Sequence, residues 1–184
     1  MSATTKDKQR SATPAITGGG RIEAIGDRLI MRLPAQASLE LPSRGQVAVD
    51  AVVDGHAFTA VLEPDGRKGH WLAVGEPLGA AAGEAVEFRF RVAAAWPEPE
   101  VPEDLRDALD AAPETSGPWQ DITPMARWEW VRWITATRSP QTRARRVAVT
   151  VSKLSAGKRR PCCFDLSSCT DPELARSGKL VETG

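Results

Sequence analysis

From Arg21 to about Val92, apolar and polar positions alternate with a period of two. Val47, Val49, Ala51 and Val53 alternate with polar or small residues, Asp54-Gly55 interrupts, and Phe58, Ala60 and Leu62 resume the pattern. Alternation on both sides of Asp-Gly predicts a hairpin, because a type I′ turn needs two positive φ angles. Glu63-Pro64-Asp65-Gly66 has the composition of a second turn, and His70 to Val74 reads as a short strand. Val86, Phe88, Phe90 and Val92 share one face against Glu87, Arg89 and Arg91 on the other, which predicts a half-buried strand. Several short strands with frequent turns predict a small barrel or sandwich.

Beyond the barrel segment, 21–92, the stretch 93–101 (AAAWPEPEV) is acidic and rich in proline, which favours an extended linker. The period then changes to 3.6. Val101, Leu105, Ala108, Leu109 and Ala112 form one stripe, with Glu103 and Asp104 placed where a helix dipole favours anions. Thr123-Pro124 and Ser139-Pro140 each pair a capping side chain with proline at the first helical position. The second helix is expected to bury Ala126, Trp130, Val131, Trp133 and Ile134, with Trp128 opposite. The third is expected to bury Ala144, Val147, Ala148, Val151 and Leu154 and to stop at Gly157. The expectation is therefore an α+β chain: a barrel, then about three helices over 102–160. Residues 1–20 are small and polar and predict a disordered tail, and 161–184 an irregular one.

Composition narrows the class. The chain has 184 residues, 41% hydrophobic and 26% charged, with zero formal net charge, as in a globular protein. The N-terminus lacks the apolar core of a signal peptide, and no stretch approaches the roughly 20 apolar residues of a membrane helix. A cytoplasmic location is expected, since the odd set Cys162, Cys163 and Cys169 offers no disulfide framework. Those thiols lack a fourth ligand at metal-binding spacing, so no metal and no cofactor is expected. Tyrosine is absent, yet six tryptophans are present, and the four between Trp119 and Trp133 predict a local core.

Charge is uneven along the chain. No acidic residue lies between Glu129 and Asp165, whereas the stretch from Trp96 to Pro124 carries eight acids against Arg106 alone. Arg143, Arg145 and Arg146 are the candidate anion-binding residues, suited to phosphates of a nucleic acid or a phospholipid surface. The alternative, favoured by the zero net charge, is that the acidic segment neutralises the basic one within the fold. A second candidate is the loop Pro64 to Trp71, where Arg67, Lys68, His70 and Trp71 cluster among glycines. Such a loop suits a ligand, or is simply a turn that packs at the barrel mouth. No catalytic residue is assigned: the nucleophile-elbow, zinc-protease and dinucleotide signatures are all missing.

Taken in order, the motifs resemble a known pair of families. Leu33-Pro34, Arg44-Gly45-Gln46-Val47-Ala48-Val49, Asp54-Gly55-His56-Ala57-Phe58 and Leu62 to Gly66, running on to Gly69-His70-Trp71-Leu72, resemble a small bacterial domain of unknown function with a double-split β-barrel. Val101-Pro102-Glu103-Asp104-Leu105 with Ala108-Leu109, Trp133-Ile134, Thr142 to Arg146, and Leu154 with Gly157-Lys158-Arg159 resemble the YdeI/OmpD-associated, or bacteriocin-protection, family. The resemblance implies the fold and a cytosolic bacterial origin, with no catalytic residues to carry over. The expected function is a non-enzymatic stress-protection or binding protein, with an unidentified protein partner or, from the basic run, an anionic one. Two alternatives follow from the residues themselves: a nucleic-acid-binding protein using the basic helix, and an enzyme with a site near His70 in an open barrel mouth.

Overall fold

The computed structural model describes residues 14–75, 78–161 and 169–183. Six strands, β1 (Ile16–Ile25), β2 (Arg28–Arg32), β3 (Val47–Val53), β4 (His56–Pro64), β5 (His70–Val74) and β6 (Ala85–Val92), close into a barrel in the order β1-β2-β5-β4-β3-β6. Every pairing is antiparallel. The Asp54-Gly55 hairpin forms as expected, with φ of 44° and 83°, and joins β3 to β4 in the register Val53↔His56. Inward positions fill the barrel with Met31, Val49, Leu62, Leu72 and Phe90, each almost wholly buried. The short helix α1 (Ala35–Leu39) closes one end by sending Ala37 into this core, followed by Leu41.

The strand β1 starts at Ile16, so residues 16–20, expected as tail, belong to the barrel. The signal was obscured by Gly18-Gly19-Gly20, which reads as a flexible stretch. In the sheet these glycines pair with β6, Gly18 opposite Phe88 and Gly20 opposite Val86. A Cβ on Gly18 would lie 2.8 Å from the Phe88 ring, and one on Gly20 would strike the Met31 thioether. Glycine is thus a packing requirement there, because the large partners fill the space that a side chain would occupy.

The helical part comprises α2 (Glu103–Asp110), a 3-10 turn (Pro113–Thr115), α3 (Ser116–Asp121), α4 (Pro124–Thr135) and α5 (Pro140–Ser155). It has one short helix, α3, more than expected. Both predicted caps form: Thr123 Oγ1 accepts from the Ala126 N–H and Ser139 Oγ from the Thr142 N–H, each at 3.2 Å. Leu105, Leu109, Ile122, Ala126, Trp130, Ile134, Val147 and Leu154 make a second core. The buried stripe of α5 differs from expectation. Ala144 and Ala148 are exposed, and Thr150 is fully buried in their stead. Its hydroxyl donates to the Arg146 carbonyl at 2.8 Å, which satisfies the polar atom and lets a nominally polar residue enter the core.

The segment expected to be an irregular tail contains a tight hairpin, β7 (Ala175–Arg176) and β8 (Lys179–Leu180), turned by Ser177 and Gly178 at φ of 49° and 74°. Leu174 and Leu180 pack on Ile25, Ile30 and Trp71, forming a third apolar cluster against the barrel. No helix among the described residues is long and apolar enough to cross a membrane.

Candidate functional site

The closed barrel has one weak seam. β4 and β5 are joined by only two residue pairs, Glu63↔Trp71 and Pro64↔His70, and diverge beyond them. A cleft of about 630 Å³ occupies the divergence. Consecutive residues of both strands, His56 to Val61 and Trp71 to Gly75, line it, as expected where strands expose an edge rather than a face. Opposite the seam, α4 supplies Trp128, Val131 and Arg132, and the segment leading into β7 supplies Thr170, Asp171 and Leu174. The cleft therefore lies at the junction of all three parts of the chain.

Its walls are mainly apolar, with Phe58, Val74, Leu78 and Val131 prominent. Trp128 meets Trp96 edge to face, centroids 6.4 Å apart, which holds a half-buried indole at this border. Polar groups are few and mostly matched. Arg132 Nη2 lies 2.7 Å from Glu63 Oε2, with both side chains largely buried. That oxygen has no hydrogen-bond donor in good alignment, so the pairing is chiefly Coulombic, while Glu63 Oε1 accepts from Gln46 Nε2 at 2.7 Å. Arg28 Nη1 meets Asp171 Oδ2 at 3.2 Å at a more exposed position. Trp71 Nε1 is buried without an acceptor among the described residues. A concave, largely apolar space with a small number of fixed polar groups is the usual form of a small-molecule site.

The four loop residues singled out in the sequence separate in space. Only Trp71 lines the cleft. Arg67 pairs with Glu182 at 2.9 Å, and Lys68, at φ 75°, is exposed while its carbonyl accepts from Arg44. His70 is buried: Ser38 Oγ lies 2.6 Å from Nδ1 and the Gly45 carbonyl 2.9 Å from Nε2. Burial holds its pKa below the ordinary imidazole value, against the opposing pull of the Gly45 carbonyl. The expected open mouth around His70 is not present; the ring is a packed brace between the β5 start and the α1 region. Asp65 shapes the loop, its Oδ1 accepting from the Arg67 and Gly69 N–H groups at 2.6 and 2.8 Å.

Two arginines of the basic run, Arg143 and Arg159, pair with the acidic segment. Arg143 makes a two-pronged contact with Asp104, at 2.6 and 2.9 Å. Its guanidinium holds the Asp104 carboxyl below the usual carboxylate range. Arg127 does the same to Glu98, and Arg159 pairs with Asp121. Arg146 donates to the Trp133 and Ala136 carbonyls and sits 5.2 Å from the Trp133 ring centroid, capping α4. Of the three candidate anion-binding residues, Arg145 alone is exposed and without an ion pair to the acidic segment. The neutralisation reading accounts for Arg143, and helix capping accounts for Arg146.

Glu129, on α4, is buried with neither carboxylate oxygen hydrogen-bonded among the described residues. Burial pushes its pKa up, partly offset by Arg160, 3.4 Å away, and Arg132. Cys162 and Cys163 lie outside the described residues, and Cys169 is half-buried. Among the described residues no group of three or more potential metal ligands converges. The cleft itself was missed in the sequence, because Glu63, Arg132, Trp128 and Leu174 belong to three separate segments. The polar Glu63 inside an apolar strand was the available signal.

A small closed barrel with a helical cap and a cleft at their junction defines the architectural class. Residues 20–93 match the model of a domain of unknown function, DUF1905, and residues 98–157 match the family described as Bacteriocin-protection, YdeI or OmpD-Associated. The barrel thus matches DUF1905 and the helical part matches the YdeI/OmpD-associated family, each over less than half of the chain. No curated protein matches it.

Proposed function

We propose that this is a non-enzymatic binding protein whose ligand, a neutral small molecule with a largely apolar body, occupies the cleft between β4, β5 and α4. The observation that carries the reading is the cleft of about 630 Å³ whose two lining arginines are both engaged, Arg132 by Glu63 and Arg28 by Asp171. An anion would have to displace a carboxylate from one of them, whereas a neutral apolar body gains from the walls at no such cost. The protection named in the family description fits a protein that sequesters an apolar compound.

Titration with N-phenylnaphthylamine, a neutral fluorescent probe, tests this. Saturable binding, weakened about tenfold by Trp128→Ala, is the expected result, since losing one aromatic wall removes apolar contact worth roughly 1–2 kcal/mol. Binding that Trp128→Ala leaves unchanged would place the probe elsewhere and sink the reading.

A further inference from the structure

The β7–β8 hairpin lies beyond both matched spans, which end at residues 93 and 157, yet it is fastened to the barrel at several points. Gly66 approaches Gly178 so closely that a Cβ on Gly66 would collide with the Gly178 carbonyl oxygen. The Leu180 N–H donates to the Asp65 carbonyl at 3.0 Å, and the Val181 carbonyl accepts from Arg32. Thr183 donates to Glu23, and Arg67 pairs with Glu182. Arg138, beyond the end of α4, donates to the Pro172 carbonyl at 2.9 Å, so the same segment also touches the helical part. The loop that the sequence marks as a ligand loop is therefore held by the chain's own hairpin.

The docked segment delivers Thr170, Asp171 and Leu174 to the cleft, where they stand as a third wall beside β5 and α4. We infer that the segment leading into this hairpin, held in place by it, is the selectivity wall of the cleft: the size and shape of ligand accepted are set by residues outside both family-matched segments. Leu174 is the apolar determinant, since it is buried against Trp71 and also borders the cleft. Asp171 is the polar one, because it neutralises Arg28 and so keeps the site selective for neutral ligands. The inference rests on the proposed binding role of the cleft and assigns its selectivity.

The test uses the full chain and two matched glycine variants. Gly66→Ala places a methyl against Gly178 and undocks the hairpin; Gly157→Ala carries nearly the same backbone penalty, φ of 74° against 72°, with no atom within 4 Å. Gly66→Ala is expected to bind N-phenylnaphthylamine about tenfold more weakly, as when a pocket loses one wall, and Gly157→Ala to bind normally. Amide exchange at Leu180, slow in the unaltered chain, should become fast in Gly66→Ala only. Leu174→Ala, which shortens the wall and keeps the hairpin backbone, should weaken the probe as well. Fast Leu180 exchange with unchanged probe affinity, or unchanged affinity in Leu174→Ala, overturns the inference and leaves the cleft reading standing. Failure of the unaltered chain to bind the probe overturns the cleft reading and this inference with it.

Discussion

Glu63 and Arg132 meet at 2.7 Å across the boundary between barrel and helices, both largely shielded from water. The contact ties the last full turn of α4 to the end of β4, beside the two residue pairs that hold β4 to β5. It fixes the floor of the cleft and the placement of the helical cap together. A charge pair withdrawn from water is costly to break from one side, because the remaining charge keeps its desolvation penalty.

Arg132→Ala is therefore expected to destabilise the protein by about 3–5 kcal/mol, the range for removing one partner of a buried ion pair. Adding Glu63→Gln should recover a substantial part of the loss, since a neutral amide costs less to bury and keeps the contact with Gln46. Urea unfolding midpoints of the single and double variants measure both effects.

Glu129 gives a pH-dependent prediction. Its carboxyl is shifted upward by burial, so the folded state favours the protonated form. The stabilising contribution is present below the unfolded carboxylate pKa and is lost as pH rises through the folded value. Above the folded value the buried charge is a burden, and at pH 7 Glu129→Gln should raise stability; well below pH 4 the variant and the parent should converge. Asp104 and Glu98 act in the opposite sense. Their pKa values are held down by Arg143 and Arg127, so their contribution is present above the unfolded value and lost as pH falls through the folded one. Acid unfolding should accordingly be eased by loss of these two pairs. Urea titrations at pH 7 and pH 3.5 separate the two behaviours.

His70 was a candidate ligand residue in the sequence and is a brace in the structure. His70→Ala should cost about 2–4 kcal/mol, from a cavity and from unpaired partners at Ser38 and Gly45. Its lowered pKa means that the neutral ring is favoured on folding; its contribution is complete above the unfolded value, about 6.5, and declines as pH falls toward the folded value. The variant should lose that part of the pH dependence, as read from thermal midpoints between pH 7.5 and 5, with probe binding retained at pH 7.5.

Much of the fold was legible because its signals are local. Alternation around Asp54-Gly55 gives the β3–β4 hairpin, and Thr123-Pro124 and Ser139-Pro140 give the starts of α4 and α5. Errors arose where a residue's local character is overridden by a distant neighbour. The glycine run is strand because Phe88 and Met31 fill its space, and Thr150 is core because the Arg146 carbonyl satisfies its hydroxyl. The candidate site was scarcely legible for the same reason. Of the candidate loop residues Trp71 alone borders the cleft, and its neighbours Glu63, Arg132 and Leu174 are assembled only by tertiary packing. The charge asymmetry, by contrast, could be read from sequence as internal neutralisation, and Arg143 with Asp104 realises it.

The most direct measurement is probe binding by a variant whose cleft has been filled. Ala60→Trp places a large ring at a half-buried position on the β4 edge that lines the cleft. With the barrel shown intact by circular dichroism, this variant is expected to lose saturable binding of N-phenylnaphthylamine. Undiminished binding by the filled, folded protein would contradict the proposed binding role of the cleft.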